Sequence, residues 1–201
     1  WKHLRPPEYR PGASTDRLVG FVDLGATMLS LAGIKPAPFQ QGRAFLGKHV
    51  TEKPKYSFGF RGRMDERPDC SRTVVDGRFV YIRNFMPHLP HGQVLHYQME
   101  TQTTRLWRRL YREKKLNEVQ SAFWKKKAPE ELYDIKADPH ETVNLASSPG
   151  HRKKLLELRA ALHTHLKSSH DVALLPEGMF HDMAREHAVS PGELTRKKGA
   201  Y

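Results

Sequence analysis

Arg72-Thr73-Val74-Val75-Asp76-Gly77-Arg78-Phe79-Val80-Tyr81-Ile82-Arg83 is the stretch that decides the fold. Two runs rich in β-branched and aromatic residues flank Asp76-Gly77, a dipeptide that favours positive φ at a type I′ turn, so the stretch reads as a β-hairpin. Val74, Phe79 and Tyr81 belong to an alternating pattern that can cover one face. Working outward, Tyr56–Phe60 is short and aromatic and predicts a strand before the hairpin. Glu131-Leu132-Tyr133-Asp134-Ile135 predicts another after it, ended by Asp138-Pro139. Ser148-Pro149 opens a helix with proline at an early position. Leu155, Leu158, Leu162 and Leu166 then recur at helical spacing, the stripe of an amphipathic helix. Together these runs specify a small antiparallel β-sheet backed by one helix.

Upstream, Arg17-Leu18-Val19-Gly20-Phe21-Val22 suits a strand, after which Asp23 can cap a helix that puts Met28, Leu29 and Ala32 on one face and stops at Gly33. One helix from Thr15 also fits the spacing of Leu18, Phe21, Val22 and Leu29; strand then helix is the preferred reading. Pro36 and Pro38 then impose an extended connection. Residues 86–100 hold prolines and histidines and predict a long loop, followed by a polar helical region around 104–123 with Leu106, Leu110 and Val119 as sparse apolar points. After Pro176 the chain is polar and basic, and residues 171–201 read as a tail.

The 201 residues are enough for one domain or slightly more. Hydrophobic residues make up 38%, below the roughly 45–50% of compact domains, although that figure also counts glycine. Long polar stretches or a missing partner surface are therefore expected. No apolar run is long enough to span a bilayer. The opening Trp1-Lys2-His3-Leu4-Arg5-Pro6-Pro7 has no apolar core of the signal-peptide type and reads as the continuation of a preceding segment. A formal charge of +12 favours polyanionic partners without choosing among nucleic acid, anionic lipid and sulfated polysaccharide. The single cysteine, Cys70, excludes an internal disulfide.

Four stretches, in order, resemble the sulfatase family of the alkaline-phosphatase-like superfamily. The first is Leu18-Val19-Gly20-Phe21-Val22-Asp23-Leu24 through Leu31-Ala32-Gly33-Ile34, followed by Gln41-Gly42-Arg43. The second is Phe60-Arg61-Gly62-Arg63-Met64-Asp65-Glu66, and the third Val75-Asp76-Gly77-Arg78-Phe79-Val80-Tyr81-Ile82-Arg83-Asn84. The fourth joins Glu131-Leu132-Tyr133-Asp134 to Asp138-Pro139-His140-Glu141-Thr142-Val143-Asn144-Leu145-Ala146. The likeness is nearest to bacterial sulfatases related to heparan N-sulfatase. It implies a mixed α/β fold: residues 1–50 as the C-terminal edge of the large sulfatase α/β domain, and 51–170 as the small C-terminal subdomain, an antiparallel sheet packed on an amphipathic helix.

The resemblance further implies a sulfuric ester hydrolase acting on sulfate esters or sulfamates of a sulfated glycan or another sulfate ester, in the periplasm or outside the cell. Such enzymes use a formylglycine made from the Cys or Ser of Cys/Ser-x-Pro-x-Arg, together with a divalent cation, usually calcium. Cys70-Ser71-Arg72-Thr73-Val74 fails that motif, so Cys70 is expected to be a structural thiol. Calcium, formylglycine and the catalytic residues are therefore expected in an upstream sulfatase α/β domain, with no catalytic or metal-binding residue here, and the chain alone is expected to be inactive. Candidate substrate-binding residues are Arg61, Arg63, Asp65 and Glu66, just after a strand, where arginine forks suit sulfate and carboxylate oxygens. His88 and His91, in the proline-broken loop 84–93, are the second group. Arg61 and Arg63, two apart, should point the same way if the strand continues.

Lys125-Lys126-Lys127 and Arg196-Lys197-Lys198 read as solvated faces. Trp107 and Trp124 lie near basic residues, but no recognisable nucleic-acid module accompanies them, so nucleic acid is not an expected partner. The competing reading is a free-standing basic module that grips polyanions without catalysis.

Overall fold

The computed structural model describes residues 2–186, so the basic run at 196–198 lies outside the described residues. The sheet has four strands, β1 (Ser57–Arg61), β2 (Ser71–Val75), β3 (Phe79–Asn84) and β4 (Glu130–Asp134), in that spatial order and antiparallel throughout. Val74 stands opposite Tyr81, and Tyr81 opposite Leu132. These three side chains and Phe79 form one face, covered by Leu155, Leu158 and Leu162 of α5 (Arg152–Ser168). The expected leucine stripe is thus the lid of the core, with Leu166 at its margin.

The hairpin turn differs in one detail from the expected geometry. Asp76 N donates to Phe79 O at 3.1 Å, which makes Gly77-Arg78 the central pair. Only Gly77 has positive φ (91°), the pattern of a type II′ turn. Asp76 Oδ1 accepts from the amides of Arg78 and Phe79, and Oδ2 accepts from Lys154 Nζ at 3.0 Å, which ties the turn to α5. After β4, Asp138 Oδ2 accepts from the amides of Thr142 and Val143. Asn144 Oδ1 accepts from those of Leu132 and Ala146. The Asp-Pro and Asn-Leu residues therefore build the turn that leads, through a 3₁₀ segment at Pro149–His151, into α5.

Three expectations need correction. Residues 17–21 form no strand: the Gly20 amide is bound by Asp23 Oδ2 at 2.8 Å, and helix α1 (Val22–Leu31) starts at once. Its buried face is Asp23, Ala26, Thr27 and Ser30, packed on segment 43–49, whereas Phe21, Val22 and Met28 are exposed. The 86–100 loop ends in a helix, α2 (His96–Glu100), and the following helical region is split into α3 (Gln102–Arg112) and α4 (Glu118–Ala122), with Lys114 at φ 57° between them. Residues 171–186 are not a free tail. Asp171 forms a two-pronged ion pair with Arg72, and helix α6 (Glu177–Glu186) follows.

Candidate functional site

β1 ends at Arg61, opposite Ser71 of β2, and residues 62–70 leave the sheet and return. Within them Met64 and Arg67 exchange two backbone hydrogen bonds (2.8 and 2.9 Å) around Asp65-Glu66, with Asp65 at φ 51°. This excursion packs on the loop after β3. Arg67 Nε donates to Val94 O at 2.7 Å, Gln93 Nε2 to Pro68 O at 2.9 Å, and the His96 amide to Glu66 Oε1 at 2.9 Å. The two candidate segments, far apart in sequence, are thus one structural unit.

A polar network lies beneath it, on the sheet face opposite α5. Ser71 Oγ donates to Asn84 Oδ1 (2.7 Å), and Asn84 Nδ2 to Glu131 Oε1 (2.5 Å) and Ala128 O (2.7 Å). Tyr133 OH donates to Glu131 Oε2 at 2.6 Å. His91 Nε2 stands 3.9 Å from Glu131 Oε1. Burial pushes the His91 pKa down, against the pull of the Glu131 carboxylate, and the cations Lys127 and Arg61 push the same way as burial. Asp69 completes the group: its side chain is fully buried, pairs with the equally buried Lys127, and lies 3.2 Å from Arg61 Nε. Arg61 Nη2 reaches His91 O at 3.4 Å.

The candidates therefore separate. Arg61 and His91 join the network, whereas Arg63 is exposed and pairs with Glu177 of α6. Arg61 and Arg63 do not share one set of partners, because β1 stops at Arg61 and alternation ends with it. Asp65 sits exposed at the turn tip. Hydrogen bonds from its own amide and from that of His96 hold the Glu66 carboxyl below the usual range, so its visible work is to anchor the start of α2. His88 is exposed and apart from the network. Neither Asp65 nor Glu66 neutralises the two arginines.

Sequence reading missed Asp69, Asn84, Glu131 and above all Lys127, which belongs to a run read as a solvated face and is buried instead. The available signal was the Lys127-Ala128-Pro129 step into β4, where the lysine stops being part of a charged surface. Cys70 is buried, as expected of a structural thiol, and burial raises its pKa. Among the described residues there is no group of three or more His, Cys, Asp or Glu side chains that could hold a metal ion. No described helix is long and apolar enough to cross a membrane.

No family model matches the sequence. Curated proteins do. An ulvan-active sulfatase of Formosa agariphila is 39% identical over 173 residues, which are 86% of this chain and 29% of that protein. A second ulvan-active sulfatase of the same organism is 28% identical over 189 residues, covering 87% of this chain and 34% of its own length. Among solved structures, a 2-O GAG sulfatase superposes with a TM-score of 0.52 at 22% identity, over 79% of this chain and 27% of its own, a likeness of fold alone. The chain spans about a third of the curated relatives it matches, 29% and 34%.

Proposed function

We propose that this chain, which belongs by sequence with the sulfatases, serves as the C-terminal part of an enzyme hydrolysing sulfate esters or sulfamates on sulfated glycans. The observation that carries the reading is the 39% identity sustained over 86% of the chain. In this reading the nucleophile, formylglycine and calcium belong to a preceding α/β domain that residues 1–50 help to complete, with 51–170 as the small subdomain. What the chain adds is the ledge formed by the 61–67 turn and the 84–93 loop, held from below by the Asp69–Lys127 pair. Arg63 is the member of the candidate set best placed for a sulfate or uronate, being exposed and held only by the surface carboxylate of Glu177. A sulfated-glycan substrate would be met in the periplasm or outside the cell.

The test is to join the chain to the preceding part of its own protein and measure inorganic sulfate released from sulfated polysaccharides, with the 201-residue chain alone as comparison. The joined protein should release sulfate and the chain alone should not, because covalent nucleophiles and Lewis acids each lower such barriers by several kcal/mol. Release by the chain alone that survives Cys70→Ala would overturn the proposal, as would a folded joined protein inert on every sulfated polysaccharide offered.

A further inference from the structure

Next to the ledge is an open cavity of about 400 Å³ whose lining includes Arg67, Arg108, Arg112, Tyr111, Trp124 and Gly92. Its walls come from four separate pieces of chain. Arg67 belongs to the 64–67 turn, and Nε is bonded to Val94 O, which fixes the guanidinium from behind. Arg108 and Arg112 lie four apart on α3 and so face the same side of the helix. Arg108 Nη1 has only Met99 Sδ as a partner, at 3.7 Å. None of the three arginines meets a carboxylate among the described residues, although carboxylates are paired elsewhere on the same surface, as Arg109 is with Glu113. Three uncompensated guanidiniums on one cavity favour an anion.

Two rings, Tyr111 and Trp124, line the cavity and belong to an aromatic cluster with Trp107 and Phe123. Trp107 stacks on Phe123 at 4.6 Å, Trp124 meets both edge-on at 5.2 and 5.1 Å, and Tyr111 stacks on Trp124 at 6.1 Å. Gly92 is required at this spot: a Cβ there would stand 2.6 Å from the Phe123 ring and 2.8 Å from Trp124. The Trp107 indole N–H is satisfied by Gln120 O at 3.0 Å, but that of Trp124, a residue nine-tenths buried, has no partner among the described residues.

We infer that this cavity is a binding subsite for an anionic sugar unit of a glycan chain. The arginines hold a sulfate, and the rings of Tyr111 and Trp124 contact the apolar side of the pyranose. The inference rests on the sulfated-glycan reading above, and adds to it a second contact point beyond the unit engaged at Arg63.

The intact protein is titrated with a heparin octasaccharide, its desulfated counterpart and a poly-thymidine oligonucleotide by calorimetry. Arg108→Gln/Arg112→Gln should weaken heparin binding about tenfold or more, as the loss of one charge-assisted bond or more requires. Arg152→Gln/Lys153→Gln, which removes the same charge from the exposed start of α5, should change it less than about threefold. Arg112→Gln alone keeps the test open if the double variant does not fold. Equal weakening by the cavity and control pairs would overturn the inference, since charge alone would then explain binding. So would equal affinity for the desulfated or the thymidine probe. Binding is read without turnover, so the two proposals fail separately. An inactive protein that binds through these arginines sinks only the hydrolase, and an active one indifferent to them sinks only the subsite.

Discussion

Lys127 and Asp69 form an ion pair with both side chains wholly shut off from solvent, and Asp69 also accepts the Cys70 amide at 2.8 Å and faces Arg61. Breaking one side of such a pair strands the other charge, at a cost of about 3–5 kcal/mol. Lys127→Met should therefore lower the urea midpoint sharply. Asp69→Asn should lower it further, because it leaves two cations uncompensated. A Lys127→Met protein as stable as the parent would contradict the buried pair.

The two arginines of the ledge should behave differently. In the joined enzyme, Arg63→Ala should lower kcat/KM about tenfold with little change in Tm, as loss of a substrate contact does. Arg61→Ala should instead lower Tm and leave the remaining folded enzyme near its original kcat/KM, because Arg61 faces the buried Asp69. The reverse pattern would exchange their roles.

Gly77 tests the turn. A Cβ there meets nothing within 4 Å, so any penalty comes from its φ of 91° alone. Gly77→Val should destabilise by roughly 1–3 kcal/mol and Gly77→Asn by less, since asparagine accepts positive φ more readily. Equal denaturant midpoints for the two variants would argue against a turn that depends on positive φ.

Glu157 sets an acid limit. Lys154 first, then Tyr56 and Lys55, bond its carboxylate and push its pKa down to about 2. A depressed carboxyl stabilises the fold above its unfolded pKa, near 4.5, and loses that contribution as pH falls through the folded value. Urea midpoints should fall as pH drops from about 4.5 to 2, and less steeply in Glu157→Gln. The group is partly exposed, so the difference should shrink in high salt. Parallel profiles for parent and variant would remove Glu157 from the account.

Cys70 should resist alkylation in the native state. Burial raises its pKa and so suppresses the thiolate that reacts. Iodoacetamide at pH 8 should label it only once denaturant unfolds the chain; rapid native labelling would mean the thiol is open.

The hairpin and α5 were legible because their signals are local: Val74, Phe79 and Tyr81 alternate, and the leucines keep helical spacing. The strand expected at residues 17–22 was not, because Val19 and Val22 look like strand residues, while the Asp23 carboxylate binds the Gly20 amide and starts a helix. The ledge was half legible. Its residues were visible as charged segments, but the divergence of Arg61 and Arg63 depends on where β1 ends. The burial of Lys127 depends on a meeting with Asp69, 58 residues away, that no local pattern records.

Tyr56 bonds Glu157 across 101 residues, and Arg72 bonds Asp171 across 99. On a ribosome the hairpin emerges long before the helix that covers it, so Val74, Phe79 and Tyr81 must wait with their apolar face bare while the next seventy or so residues are made. Contacts this distant slow folding, and an uncovered sheet invites pairing with neighbouring chains in the meantime. A message cut short before Arg152 would yield strands without their cover, a product for proteases or aggregates. The leucines of α5, translated last among the core residues, close the fold.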